Sequence, residues 1–201
     1  MAVTPNYSWP VPVNTDLVKD GAEAIKDLGD AIDATVFGLP SGALTLVKTQ
    51  VIGSAVTSVT VSDAFSATYD NYRIMISGGV GSTSAVVHLS LNGITTGYYS
   101  TFIYMPFGGG AIAGATANNL SYWYFIGACN ATAIYSDTDL YGPFLARTTI
   151  ARGALNELGI TSSAGSSQFV NTSTTSATGF TITTSAGTLT GGTIRVYGYQ
   201  N

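Results

Sequence analysis

Charged residues are distributed very unevenly along this chain of 201 residues, and their distribution constrains the fold more than any other feature. Eight of the eighteen charged residues lie within positions 16–33, where they give a local net charge of −4. The other five acidic and five basic residues are spread over the remaining chain. Such a break in composition separates segments of different structure. We therefore expect a charged N-terminal segment, a linker at the Gly- and Pro-containing residues 38–42, and a weakly charged body over 43–201.

The charged segment has the periodicity of an amphipathic helix, which we predict over residues 15–37. Asn14 or Thr15 can cap its first turn, and Asp16 lies near the positive end of the helix dipole. The apolar residues that recur on one face are Val18, Ala22, Ile25, Leu28, Ile32, Val36 and Leu39. Because Gly21 and Gly29 weaken so short a helix, another surface must pack against its apolar stripe to stabilise it. We expect a trimeric parallel bundle with the same helix of sister chains, the alternative being the chain's own body.

Residues 1–14 precede this helix and include two prolines, Pro10 and Pro12, which favour an extended backbone. The segment also carries Tyr7 and Trp9 as candidate contact residues. We predict an extended arm that docks into a partner, with a frayed terminus as the alternative.

The body has the composition of a β domain. Ser, Thr and Gly together make up 72 of the 201 residues, with 12 Tyr and 8 Phe, and this mixture favours strands and tight turns. The fold class we predict is mainly β: the arm and helix followed by an antiparallel β-sandwich, jelly-roll-like, because long amphipathic helices do not alternate with the strands. The predicted strands are 44–52, 56–62, 72–77, 85–92, 98–105, 120–127, 139–149, 167–171, 179–184 and 193–199.

The glycine-rich run at 105–115 follows an aromatic segment and predicts a long loop. It could contact a ligand or a neighbouring subunit, or be a tolerated surface insertion. The aromatic residues that could stack on a sugar are Tyr98, Tyr99, Tyr104, Phe107 and Trp123. The alternative for each is packing in the core or in a subunit interface.

Residue patterns for catalysis and cofactor binding are weak, and we predict neither an enzyme nor a cofactor or metal site. His88 is the only histidine, and strand alternation predicts a surface or interface position for it. Cys129 ends an apolar strand as a small buried residue. Asp137 and Asp139 could offer oxygen ligands to calcium, although a polar turn also explains them.

Two classes of partner are excluded by charge and hydropathy. The net charge of −4 without a basic run argues against nucleic acid. The apolar stretches are shorter than the roughly 20 residues needed to cross a bilayer, and a signal peptide is not evident, so membrane insertion is not expected.

Several segments resemble a known group of proteins. Residues 7–12 (YSWPVP) and 16–33 (DLVKDGAEAIKDLGDAID) resemble the opening of tailed-bacteriophage virion proteins, notably minor tail and fibre-like proteins of actinobacteriophages. Residues 65–74 (FSATYDNYRI) and 192–199 (GTIRVYGY) are similar to C-terminal domains of such appendages.

The resemblance implies a structural protein on the tail or capsid surface of a virion, commonly a homotrimer. The arm and helix would attach it to other virion proteins, and the β domain would face outward. Three functions remain open at this point: a tail-associated short fibre that binds a host-surface glycan, a capsid head fibre or decoration protein, and a carbohydrate-active enzyme or free binding module.

Overall fold

The chain forms two compact units, residues 1–42 and 43–201. The structure, a computed structural model, describes residues 2–13, 15, 17–38, 43–157, 159–160 and 162–200, and for Tyr135 the backbone only. No helix within these residues is long and apolar enough to cross a lipid bilayer.

The N-terminal segment folds back on itself as a hairpin, so the prediction of an extended arm over 1–14 is wrong. Strands β1 (Ala2–Val3) and β2 (Pro10–Val11) pair antiparallel. The backbone N–H of Thr4 donates to the carbonyl of Trp9 at 2.9 Å, and the N–H of Trp9 donates to Oγ1 of Thr4 at 3.0 Å. Pro10 and Pro12 permit this because a two-stranded ribbon leaves edge positions at which no N–H is needed.

The predicted helix is present but begins later than residue 15. A single 3₁₀ turn, Val18–Asp20, leads into α1, Gly21–Gly38. Leu17 occupies the N-cap position and makes no side-chain cap, so Thr15 does not cap the helix, while Asn14 and Asp16 lie outside the described residues. Gly38 is the last helical residue, and the remainder of the predicted linker, 39–42, is also outside them.

Strand β2 packs against α1 and covers only part of the apolar stripe. Ala24 is buried, and Leu28 and Ile32 are half-buried. Val18, Ile25 and Val36, on the adjacent part of the helix surface, are 98%, 67% and 58% exposed. The N-terminal unit therefore leaves one strip of apolar surface open.

The second unit consists of antiparallel strands. Their bounds are β3 Leu44–Val51, β4 Ser58–Val61, β5 Asn71–Ser77, β6 Val80–Gly81, β7 Ala85–Leu91, β8 Tyr98–Pro106, β9 Ala113–Leu120, β10 Trp123–Cys129, β11 Ile134–Tyr141, β12 Thr149–Glu157, β13 Ser163–Asn171, β14 Phe180–Thr184, β15 Leu189–Thr190 and β16 Thr193–Tyr199. The mainly β, antiparallel class predicted from the sequence is therefore confirmed.

Two predicted segments differ from these strands. The expected strand 139–149 is two strands, β11 and β12, with a connection at 142–148. The expected loop at 105–115 is shorter, because β8 continues to Pro106 and pairs with β9, which starts at Ala113. Small residues do not prevent strand formation here, since β9 is held by the backbone hydrogen bonds of its longer neighbour.

Twelve of these strands form one sheet, and the short strands β6 and β15 pair with each other. One group runs β4–β14–β7–β10, and the other runs β3–β16–β5–β11–β12–β13–β8–β9. The groups join at β11, whose first residues pair with β10 and whose later residues pair with β12. Residues from both groups form one buried core, in which Trp123 of β10 contacts Tyr98 of β8 and Phe169 of β13 through their rings.

Candidate functional site

The five aromatic residues singled out from the sequence lie in four different places. Tyr98 and Trp123 are both completely buried, so neither can contact a receptor. Their ring centroids are 5.6 Å apart in an edge-to-face arrangement. They belong to the core, as the alternative interpretation of these residues held.

The hydroxyl of Tyr98 is part of the scaffold. It accepts a hydrogen bond from the backbone N–H of Leu91 at 2.8 Å and lies 3.2 Å from the carbonyl of Ile94. Burial raises the pKa of Tyr98 to about 12, which keeps the hydroxyl protonated. Tyr98 thereby fixes the turn between β7 and β8.

Tyr99 and Phe107 lie apart from the core. Strand β8 alternates between buried and exposed residues, so Tyr99 lies on the opposite face from Tyr98 and is 38% exposed. Phe107 follows the strand and is 58% exposed. Both remain available at the surface, but they do not share a site with Tyr104.

Tyr104 lines the concave site that we consider the candidate functional site, here called the aromatic pocket. It has a volume of about 400 Å³ and opens between the two strand groups. Phe102 and Tyr104 of β8 and Ala115 of β9 form one wall, and Ala85 and Val86 of β7 contribute to the other. Pockets of this size are typical of small-molecule sites.

Tyr124 and Phe125 of β10 complete this second wall. Between Trp123 and Gly127 the register of β10 against β7 shifts, and Phe125 has a positive φ of 66°. A bulge of this kind redirects side chains. Tyr124 consequently contacts Phe102, with ring centroids 5.9 Å apart.

Sequence reasoning missed Tyr124 and Phe125 because it assigned them to an ordinary strand at 120–127. A signal was present: four consecutive aromatic residues, 122–125, cannot all belong to one face of a regular strand. Such a run indicates either a β-bulge or burial of aromatic side chains on both faces of the strand.

Another side of the pocket is lined by Leu155 of β12, Ser163 of β13 and Ile160 between these strands. The carboxylate of Glu157, which is 1% exposed, accepts hydrogen bonds from the backbone N–H groups of Ile160 and Ser162, the latter at 2.9 Å. Glu157 therefore holds the connection between β12 and β13 through main-chain contacts.

His88 lies behind Tyr124 and is 5% exposed, so the prediction of a surface or interface position is wrong. Its ring lies 4.3 Å from that of Tyr122 and 5.0 Å from that of Tyr124, centroid to centroid. Nδ1 is buried without a hydrogen-bond partner. Burial lowers the pKa of His88 to about 4. The alternation pattern failed here because the rings of Tyr122 and Tyr124, at the start of the neighbouring strand β10, pack against His88.

Asp137 and Asp139 are arranged around arginine side chains. Arg73 forms an ion pair with Asp137 and lies 3.7 Å from Asp139, and Arg152 lies 3.6 Å from Asp139. The Tyr199 hydroxyl donates to Asp139 at 2.6 Å. These carboxylates are therefore engaged within the sheet. Among the residues that the structure describes, no three His, Cys, Asp or Glu side chains come together as metal ligands.

Cys129 is 2% exposed, which confirms the prediction of a small buried residue. Burial raises the pKa of its thiol. A thiol in this state is a poor nucleophile.

The aromatic residues predicted for attachment interact with each other in the N-terminal unit. Tyr7 and Trp9 stack with ring centroids 5.1 Å apart, and Tyr7 is 60% exposed. Val18, Ile25 and Val36 of the same unit are also exposed.

Comparison with known proteins does not assign this arrangement to a family. No protein-family model, no curated protein and no solved structure matches the chain.

Proposed function

We propose that the chain is a structural virion protein of a tailed bacteriophage: a homotrimeric short fibre or minor tail protein that is anchored by its N-terminal unit and binds a host-surface glycan through its β head. The resemblance of residues 7–12 and 16–33 to such proteins supports this assignment. The division of the chain into two units is consistent with one unit that attaches to the virion and a second unit that faces outward.

The observation that carries the proposal is the apolar strip on α1. Ile25 and Val36 of α1 are 67% and 58% exposed, and Val18 of the 3₁₀ turn that precedes α1 is 98% exposed. Exposed apolar residues aligned on a helix favour association with partners. Sister helices supply a matching strip, and a parallel trimer would bury all three copies around one axis.

The strand order of the head supports a jelly-roll, a fold common in virion proteins. In a jelly-roll the chain alternates between two four-stranded groups. Strands β4, β14, β7 and β10 form the first group, whereas the second group holds eight strands, β3, β16, β5, β11, β12, β13, β8 and β9. A jelly-roll would then carry four additional strands in the second group, β3 and β16 at its edge and the hairpin of β11 and β12 between β5 and β13.

The aromatic pocket supports a role in sugar binding. The rings of Tyr104, Tyr124 and Phe125 are half-buried, so part of each ring can contact a ligand. Aromatic rings offer large apolar contact surfaces to which sugar C–H groups can pack. Of the five residues that we expected to contact a receptor, Tyr104 is the one in this pocket.

The oligomeric part of the proposal is tested with two matched variants of the full chain. Ile25→Glu places a charge in the exposed strip, and Ala34→Glu places the same charge on the opposite face of α1. We expect the wild type and Ala34→Glu to sediment as three chains of 20.7 kDa and Ile25→Glu to dissociate. A wild-type monomer at micromolar concentration would overturn the trimer.

The location and the ligand are tested separately. Cryo-EM of the parent particle bound to a Fab fragment against the head should place density on the tail, whereas density on the capsid would support a decoration protein instead. A glycan array probed with the wild type, Tyr104→Ala and the outer-face control Tyr99→Ala should show binding that only Tyr104→Ala loses. Absence of binding to every glycan on the array would contradict the proposed receptor function.

A further inference from the structure

The aromatic pocket has a chemical character that restricts its ligand. None of its described lining residues carries a charge, and its apolar lining consists of Ala85, Val86, Phe102, Ala115, Phe125, Leu155 and Ile160. From this lining, and resting on the proposed glycan-binding function, we propose that the pocket binds a neutral sugar bearing a methyl group, such as an N-acetylated or 6-deoxy sugar.

Charge is the first argument for this class. A carboxylate or ammonium group that enters an apolar pocket loses its hydration, which weakens binding strongly unless an opposite charge compensates it. The carboxylate of Glu157, next to this part of the chain, accepts hydrogen bonds from the backbone N–H groups of Ile160 and Ser162. A uronic acid, a sialic acid or a free amino sugar would therefore bind poorly.

The distribution of polar groups is the second argument. The backbone N–H of Val86 donates to the hydroxyl oxygen of Ser185 at 3.1 Å, and the other polar lining comes from serine and tyrosine hydroxyls. A fully hydroxylated hexose has a hydroxyl on nearly every carbon. Those that faced Val86 or Leu155 would be left without partners, and each would weaken binding roughly 5- to 150-fold.

Size is the third argument. A volume of about 400 Å³ lies near the lower end of the range for small-molecule sites, roughly 300–1,000 Å³. It is suited to one terminal sugar unit. A methyl group on that unit can be buried against the apolar wall, and each buried carbon of this kind strengthens binding about fourfold.

The experiment compares matched pairs of methyl glycosides by NMR titration of the full chain. The pairs are N-acetylglucosamine with glucosamine and with glucose, 6-deoxygalactose with galactose, and glucose with glucuronic acid. In at least one of the first two series, the methyl-bearing neutral sugar should bind fourfold or more tightly than its partners. Glucuronic acid should bind more weakly than glucose.

Two variants tie the result to the pocket. Ala115→Leu fills it from the exposed strand β9, and Thr116→Leu places the same side chain on the other face of that strand. Binding of the methyl-bearing sugar should fall at least tenfold in Ala115→Leu and remain in Thr116→Leu. Equal loss in both variants would overturn the assignment to the pocket.

The outcomes separate this inference from the function on which it rests. If charged or fully hydroxylated sugars bind best, or if sugar binding is unaffected in Ala115→Leu, the ligand class or its location is wrong while glycan binding stands. If neither these glycosides nor any glycan on the array binds, both the inference and the receptor function are overturned.

Discussion

The indole Nε1–H of Trp9 donates a hydrogen bond of 2.8 Å to Oγ1 of Thr35, 26 residues further along the chain. Thr35 in turn donates to the carbonyl of Ala31 at 2.8 Å. One hydroxyl therefore links the N-terminal hairpin to the last turns of α1. The hairpin stays against the helix although its two strands contain only two residues each.

The first prediction concerns this link. Thr35→Val keeps the shape of the side chain but removes the acceptor for Trp9, so we expect a loss of about 1 kcal/mol in the N-terminal unit. Hydrogen exchange followed by mass spectrometry should show faster exchange at residues 2–11. Thr35→Ser retains the hydroxyl and should exchange like the wild type; equal protection in all three proteins would contradict the link.

The second prediction concerns pH. Because the folded state lowers the pKa of His88 from 6.5 to about 4, protonation favours the unfolded chain. The full stability is present above pH 6.5 and is progressively lost as the pH falls toward 4. We expect this histidine to lower the free energy of unfolding by about 2 kcal/mol between pH 7 and pH 5.

Urea unfolding of the wild type and His88→Phe at several pH values checks this. Phenylalanine can keep the ring contacts with Tyr122 and Tyr124 but cannot titrate, so the variant should lose less stability over the same pH interval. Parallel pH profiles would show that His88 is not responsible.

The third prediction concerns a contact between an aromatic ring and a glycine. A Cβ atom at Gly198 would lie 2.4 Å from carbons of the Tyr69 ring, which lies edge-on to Tyr72 at 6.0 Å between centroids. Gly198→Ala should therefore displace Tyr69 and cost about 1–3 kcal/mol. Thermal unfolding measures this loss of stability. In a Tyr69→Ala background the same substitution should destabilise the protein clearly less.

The fourth prediction separates scaffold from surface on β8. Tyr98→Phe leaves the buried N–H of Leu91 without its partner, for which we expect a loss of about 1–3 kcal/mol. Tyr99→Ala changes an exposed side chain and should cost less than about 1 kcal/mol. Denaturant unfolding compares the two. At a temperature where both variants are folded, each should retain the proposed sugar binding. Loss of binding in Tyr98→Phe alone would indicate that Tyr98 contributes to the binding site.

Local patterns in the sequence predicted much of the secondary structure. The helix, the antiparallel class and most strands follow from periodicity and turn residues, which depend on near neighbours. The hairpin at residues 2–11 could not be read in this way because it depends on Trp9 reaching Thr35. The burial of His88 likewise depends on Tyr122 and Tyr124, which are more than thirty positions away in the chain.

The sequence predicted that aromatic side chains line the candidate site, but not which aromatic residues they are. Aromatic side chains line the pocket, and Tyr104 is the one of the five expected contact residues among its described lining residues. Tyr98 and Trp123 are as aromatic as Tyr124, and which of them reaches a concave surface is decided by the bulge in β10. That bulge arises from pairing with β7, a long-range contact that residue spacing does not encode.

The alternation of β8 has an evolutionary consequence. Tyr104 faces the pocket, whereas Tyr99 and Ile103 face the other side of the same strand. Selection on one set of residues can therefore proceed with little effect on the other. Substitutions at the inward position Tyr104 would change the pocket and substitutions at Tyr99 and Ile103 would change the outer surface, while the buried Tyr98 keeps the common core.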